Sequence, residues 1–150
     1  MIIEQQLVIH APTDRVWEFT MDLPGIARCV PGFESIEQLD ENTYVGSVRA
    51  QVGPVAVRLN GKVWVAERNR QDLLARMNVE AADRRIRGAV NAKMSMRLEP
   101  TGTAMTAMAV HTDAAILGKL GEFGQAVVRR KASQIMQQFA SNVSRELSAL

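Results

Sequence analysis

The sequence has one cysteine, Cys29, and two histidines, His10 and His111, in 150 residues. A single thiol rules out an intrachain disulfide, and such a chain fits a reducing cytoplasm. One Cys and two distant His also lack the ligand spacing of a zinc site. No apolar run approaches the roughly 18 residues needed to cross a bilayer as a helix. The first ten residues alternate and carry Glu4. They lack the charged start, apolar block and cleavage site of a signal peptide. Charge of one sign is also scarce, with a net value of +2. With no aromatic–basic stripe and no reader motif, a nucleic-acid partner is not expected.

Aromatic residues are few, at two Trp, one Tyr and four Phe, whereas there are eight Met. The flexible Met side chain fills irregular space, so it suits an adaptable cavity, and it is equally a routine core residue. The length is that of one domain, residues 1–150, with enough chain to bury a core.

The pattern along the chain is strand, two short helices, six strands and a long helix. Ile3, Gln5, Leu7 and Ile9 share one face of an opening strand, Ile2–His10. Pro12, Thr13 and Asp14 mark a helix start, with Thr13 and Asp14 offering oxygens to its free N–H groups. A second short helix is expected over 24–29. Strands follow at 33–41, 43–52, 55–67, 74–82, 85–99 and 104–112, separated by turns such as Gly53-Pro54 and Pro100-Thr101-Gly102-Thr103. Residues 113–118 read as a loop. From Leu117 to Leu150 there is no proline, and apolar residues recur at Leu120, Phe123, Val127, Ile135, Phe139, Val143, Leu147 and Leu150. That spacing predicts one amphipathic helix. Gln125, Arg129, Gln134, Gln137, Gln138, Ser141 and Arg145 take its outer side. The fold class is therefore α+β, a seven-stranded curved antiparallel sheet wrapped around a long C-terminal helix. Gly46, Gly61 and Gly88 lie inside strand patterns, where glycine permits curl and bulges.

This order resembles the helix-grip fold, also called START-like or birch-pollen-allergen-like. Val8-Ile9-His10-Ala11-Pro12 with Val16-Trp17 resembles that superfamily's opening strand and helix. A narrower resemblance is carried by four segments. They are Ile26-Ala27-Arg28-Cys29-Val30-Pro31-Gly32-Phe33-Glu34-Ser35-Ile36, Tyr44-Val45-Gly46-Ser47-Val48, Val52-Gly53-Pro54-Val55 and Asn60-Gly61-Lys62-Val63. These are similar to the CoxG family of carbon monoxide dehydrogenase. The resemblance implies an accessory protein of a molybdenum-containing dehydrogenase, with a fold suited to holding a quinone or a lipid. It also implies a cytoplasmic location, with peripheral contact at the inner face of the membrane. Many members continue into a linker and a C-terminal membrane anchor. Here the expectation is that the domain's own surface makes any membrane contact.

No catalytic constellation stands out. His111 and Asp113 share a strand end and could both face a cavity mouth, although a solvated strand end explains them as well. Cys29 beside Arg28 is either a reactive thiol or a small buried apolar residue, and the second fits better. Gly118, Gly121 and Gly124 lack the Lys-Ser/Thr of a phosphate loop and read as a flexible mouth. The basic runs Arg84-Arg85-Arg87 and Arg129-Arg130-Lys131 are solvated faces, or docking points for an acidic protein or an anionic lipid surface. Trp64 falls on the outer face of its strand, covering the sheet or meeting a partner.

The functional expectation is a cavity between the concave sheet and the last helix. Alternation places Val48, Val57, Leu59, Val63, Met77, Val79, Val90, Met94, Met96, Met105 and Ala107 on its wall. Phe123, Val127, Ile135 and Phe139 lie opposite, and Tyr44 supplies a polar handle. Loops at 23–33 and 113–124 would gate access. The expected role is a non-catalytic binding protein for a hydrophobic molecule. A helix-grip enzyme of the cyclase or hydratase type and an assembly factor for the dehydrogenase are the alternatives.

Overall fold

The computed structural model describes residues 1–148, so Leu150 and the end of the expected 1–150 domain lie outside the described residues. Strand β1 (Ile2–Ile9) leads into helices α1 (Thr13–Met21) and α2 (Leu23–Ala27). The strands β2 (Phe33–Gln38), β3 (Thr43–Val52), β4 (Val55–Asn69), β5 (Leu74–Asp83), β6 (Gly88–Gly102) and β7 (Met105–Gly118) follow. A 3-10 turn (Lys119–Phe123) then precedes helix α3 (Gln125–Ser148).

The strands form one antiparallel sheet in the order β1-β7-β6-β5-β4-β3-β2. From β2 to β7 each strand pairs with its successor, the arrangement that short turns allow. β1 and β2 lie at opposite edges, and α1–α2 carries the chain between them. α3 lies mainly along β1, with a smaller contact to β3. Arg129 donates to the Ile2 carbonyl at 2.7 Å near the start of α3, and the His10 amide donates to Ser144 Oγ at 3.0 Å near its end.

The sheet bends where its side chains vanish. Gly46 pairs with Gly61, and Gly61 pairs with Ala81 on the next strand. A Cβ on Gly46 would lie 2.5 Å from the Ser35 carbonyl oxygen, and one on Gly61 would lie 2.8 Å from Ala81 Cβ. These close approaches exclude a side chain and let β2–β5 curl toward α3.

The fully packed core sits at one end. Leu7, Ile9, Val16, Trp17, Leu98, Met108, Val110, Ala140, Val143 and Leu147 bury against one another there. Thr106 Oγ1 donates to the Ala11 carbonyl at 2.9 Å and accepts from Thr13 Oγ1. Thr13 therefore joins α1 to β7 rather than capping its own helix, whose start carries no side-chain cap. Asn142 Nδ2 donates to the Cys29 carbonyl at 2.9 Å, tying α3 to the segment after α2.

Three expectations change. Residues 113–118 are strand, not loop, because Ala114 and Ile116 continue the inward alternation opposite Ala92 and Val90. The helix expected from Leu117 is broken at Gly118 (φ 63°) and Gly124 (φ 85°), both in the left-handed region that glycine adopts freely. Leu120, in the intervening 3-10 turn, is buried against Gly88, where an added Cβ would lie 2.6 Å from Leu120 Cγ. The sixth strand starts at Gly88 rather than Arg85, since the Asp83 carboxylate accepts the Arg85 amide and turns the chain.

Replacing Gly61 with valine is expected to lower stability by roughly 1–3 kcal/mol through overpacking at the bend. Urea denaturation of the purified variant checks this, and unchanged stability would contradict the close approach.

Candidate functional site

Burial along the concave face is uneven. Leu7, Ile9 and Met108 are 2% exposed or less. Farther across the sheet, Val48, Leu59, Val63, Met77, Val79, Val90, Met94 and Met96 all point inward yet remain only half-buried. An inward apolar side chain that solvent still reaches borders open space. Met94 and Met96 touch the packed core and mark where it stops. Beyond them α3 reaches little of the middle of the sheet, leaving an apolar hollow over β3–β6. The row Gly46–Gly61–Ala81 forms its floor.

Tyr44 is inward and buried, paired with Val63 and Gln38. Val57 is inward and 3% exposed, at the end of the hollow farthest from the packed core. On α3, Ile135 and Phe139 are half-buried, and Phe139 packs against the core. Val127 is half-buried as well, but eight residues of helix turn it about 80° from Ile135. Val128, seven residues before Ile135, is the side chain in line with it. Phe123 belongs to the 3-10 turn rather than to α3.

Two members of the expected wall are on the wrong face. Ala107 pairs with Val8, which is 51% exposed on the convex side, and Met105 is 38% exposed. β7 instead turns Thr106, Met108, Val110, Thr112, Ala114 and Ile116 inward. The tight turn before β7 left its alternation open by one residue, and such a slip inverts every side chain. Pairing with β1 would have revealed it, because Leu7 and Ile9 must share a face with their β7 partners.

The same inversion removes the His111–Asp113 pair from the hollow. Both are exposed on the convex face, where His111 Nδ1 lies 3.1 Å from Glu4 Oε1. Cys29 is buried, and desolvation, followed by repulsion from Glu146, raises its thiol pKa against a smaller opposing effect of Arg145. It is a protonated, inert thiol at neutral pH. Among the described residues no group of three His, Cys, Asp or Glu side chains is placed to hold a metal ion. No described helix is long and apolar enough to cross a membrane. Trp64 lies on the convex face with Lys62 Nζ 5.1 Å from its ring centroid.

Asp83 closes the far end of the hollow. It is 4% exposed, and its Oδ2 accepts the Arg58 amide at 2.9 Å while Oδ1 accepts the Arg85 amide at 3.0 Å. The hydrogen bond from the Arg58 amide is the largest influence holding its carboxyl below the ordinary value, against the opposing effect of burial.

The sequence profile of the carbon monoxide dehydrogenase G subunit (CoxG) matches residues 6–148. The chain belongs to the CoxG family. No curated protein matches the CoxG-family chain in sequence. Solved structures share its fold. A conserved protein from Geobacillus kaustophilus superposes with a TM-score of 0.89 at 19% identity, covering 99% of this chain and 96% of that one. A START superfamily protein from Mycobacterium smegmatis gives 0.68 at 10% identity, covering 99% and 97%. The Zhui aromatase/cyclase from Streptomyces sp. R1128 gives 0.67 at 15% identity, covering 99% and 93%. These likenesses establish a START-like helix-grip architecture for this CoxG-family member.

Asp83 generates a pH prediction. Its folded-state pKa is lowered, so its stabilising contribution is complete at neutral pH. That contribution is lost as pH falls below about 4 and through the folded-state value. Asp83→Asn should be less stable than the parent at pH 7, and the gap should narrow toward pH 3. Thermal melts across that range check it, and a constant gap would contradict the assignment.

Proposed function

We propose that this protein is a non-catalytic accessory protein that holds a hydrophobic molecule between the curled sheet and α3. A quinone or a lipid is the ligand class, and a molybdenum-containing dehydrogenase of the carbon monoxide dehydrogenase kind is the enzyme it serves. The observation that carries the reading is the band of inward Val, Leu and Met side chains on β3–β6 that remain only half-buried. Filling that space with a ligand removes apolar surface from water on both partners, at about 25 cal/mol per Å². A concave apolar site of this kind binds by shape and burial, with a few polar groups fixing orientation. Tyr44, on the inner face of β3, is placed to act as such a group.

The inner polar groups support a holding role over a catalytic one. Thr106 is occupied with Ala11 and Thr13, and Asp83 with the amides of Arg58 and Arg85. Catalysis by paired acid and base would need such groups converging on a substrate. Family membership supports the link to the dehydrogenase.

Native mass spectrometry of protein purified from its own host, followed by solvent extraction, tests the reading. Expected is a co-purifying quinone or lipid at near one per chain. A protein that is empty and also fails to bind added quinones and lipids would overturn it. A paired prediction concerns Val63→Phe and Val79→Phe. Each should change stability by less than about 1 kcal/mol, because the added ring enters open space, yet abolish ligand retention. A loss of roughly 1–3 kcal/mol in each would instead indicate a solid core.

A further inference from the structure

A second concavity lies at the end of the sheet farthest from the packed core. β4 pairs with β5 only from Asn60 onward, so its first residues are held by β3 alone. The β3–β4 hairpin therefore stands apart from the β5–β6 turn. A cleft of about 780 Å³ lies between them. Side chains bridge the interrupted ladder, with Asp83 accepting the Arg58 amide and Arg85 donating to the Ala56 carbonyl.

The cleft is lined by four arginines, Arg49, Arg58, Arg84 and Arg85. Arg49 and Arg58 are directly opposite each other on β3 and β4. Like charges in that position destabilise a sheet unless something lies between them. Glu34 meets Arg58 Nε at 2.9 Å and lies 3.8 Å from Arg49 Nε, offsetting one of the two charges. Asp83 is the one acidic side chain on the wall; its carboxylate accepts two backbone amides and lies 3.8 Å from Arg85 Nη2, offsetting a second charge. Arg84 has no ion pair among the described residues. The cleft thus keeps a surplus of positive charge, with two of its guanidiniums fixed in place by Glu34 and by the Ala56 carbonyl. Ala50, Ala56 and Ala82 add small apolar surface beside them.

We propose that this cleft is a binding site for a soluble organic phosphate. Guanidinium forks match phosphate oxygens two at a time, and several converging arginines select a multiply charged group over a single carboxylate. The volume exceeds what one phosphate ion occupies, and falls in the range of small-molecule sites. The alanine surface accepts the organic part. The cleft shares Val57 and Asp83 with the far end of the hollow, but its arginines do not line the hollow, so phosphate binding and retention of the hydrophobic ligand are read separately.

The test is a titration of the ¹⁵N-labelled full chain with inorganic pyrophosphate and adenosine diphosphate at constant ionic strength. Expected are saturable amide shifts confined to the β3–β4 hairpin and the β5–β6 turn. Arg49→Gln and Arg84→Gln should each weaken binding about tenfold, while Arg130→Gln, in the basic run of α3, leaves it unchanged. Thermal melts confirm that the variants fold. Shifts that spread over all arginine-bearing segments without saturating, or equal weakening by Arg130→Gln, would overturn the site. Binding to phosphatidylglycerol vesicles with no response to either soluble probe would overturn it too, since the arginines would then form a surface patch.

Discussion

An open curled sheet cannot bury its own concave face, and here α3 must do it. The helix is held where Val143 and Leu147 meet Leu7, Ile9, Val16 and Trp17, at the corner of β1 and α1. Everything else follows from that clamp. The C-terminal half of α3 is packed into the core through Ala140, Val143 and Leu147, while no side chain in the half that starts at Gln125 is fully buried. Anchoring the helix at one end and bending the sheet at the other makes the hollow. Among the described residues every buried side-chain polar atom has a hydrogen-bond partner.

The two concavities differ in chemistry because the side chains that characterise them come from different faces of the same strands. Val48 and Leu59 turn inward from β3 and β4, and Arg49 and Arg58, one residue along, turn outward. Alternation gives one hairpin an apolar side toward α3 and a basic side toward solvent. Where β4 outruns β5, the backbone ladder gives way to Asp83 and Arg85, and side-chain charge does the work of strand pairing.

Much of this was legible in the residues. The strand alternation of β4, Val55 through Val65, and of β6, Gly88 through Leu98, places the inner face as the structure has it. The outward Gln and Arg positions of α3 are all exposed, although Arg129 also anchors the helix to β1. What alternation could not supply was phase in β7, because small residues such as Ala104, Ala107 and Ala109 mark neither face. It also missed the breaks at Gly118 and Gly124, since a glycine that bends a chain and a glycine that a helix tolerates look alike in sequence. The uneven burial of the hollow was hidden for a deeper reason. Apolar periodicity reports which way a side chain points, and says nothing about whether anything stands opposite it.

The pairing of β1 with β7 has a consequence for how the chain is made. Ile2 faces Asp113, Leu7 faces Met108, and the amino terminus itself donates to the Ala114 carbonyl at 2.8 Å. β1 must wait for β7, made about a hundred residues later, and for α3. At about 5–20 residues per second, that delay is several seconds. Such distant closures make folding slow, and β2–β6 can assemble by successive hairpins before β7 arrives. During that interval Leu7 and Ile9 are uncovered, and a chaperone that shields a short apolar segment would act on this strand before the sheet closes over it.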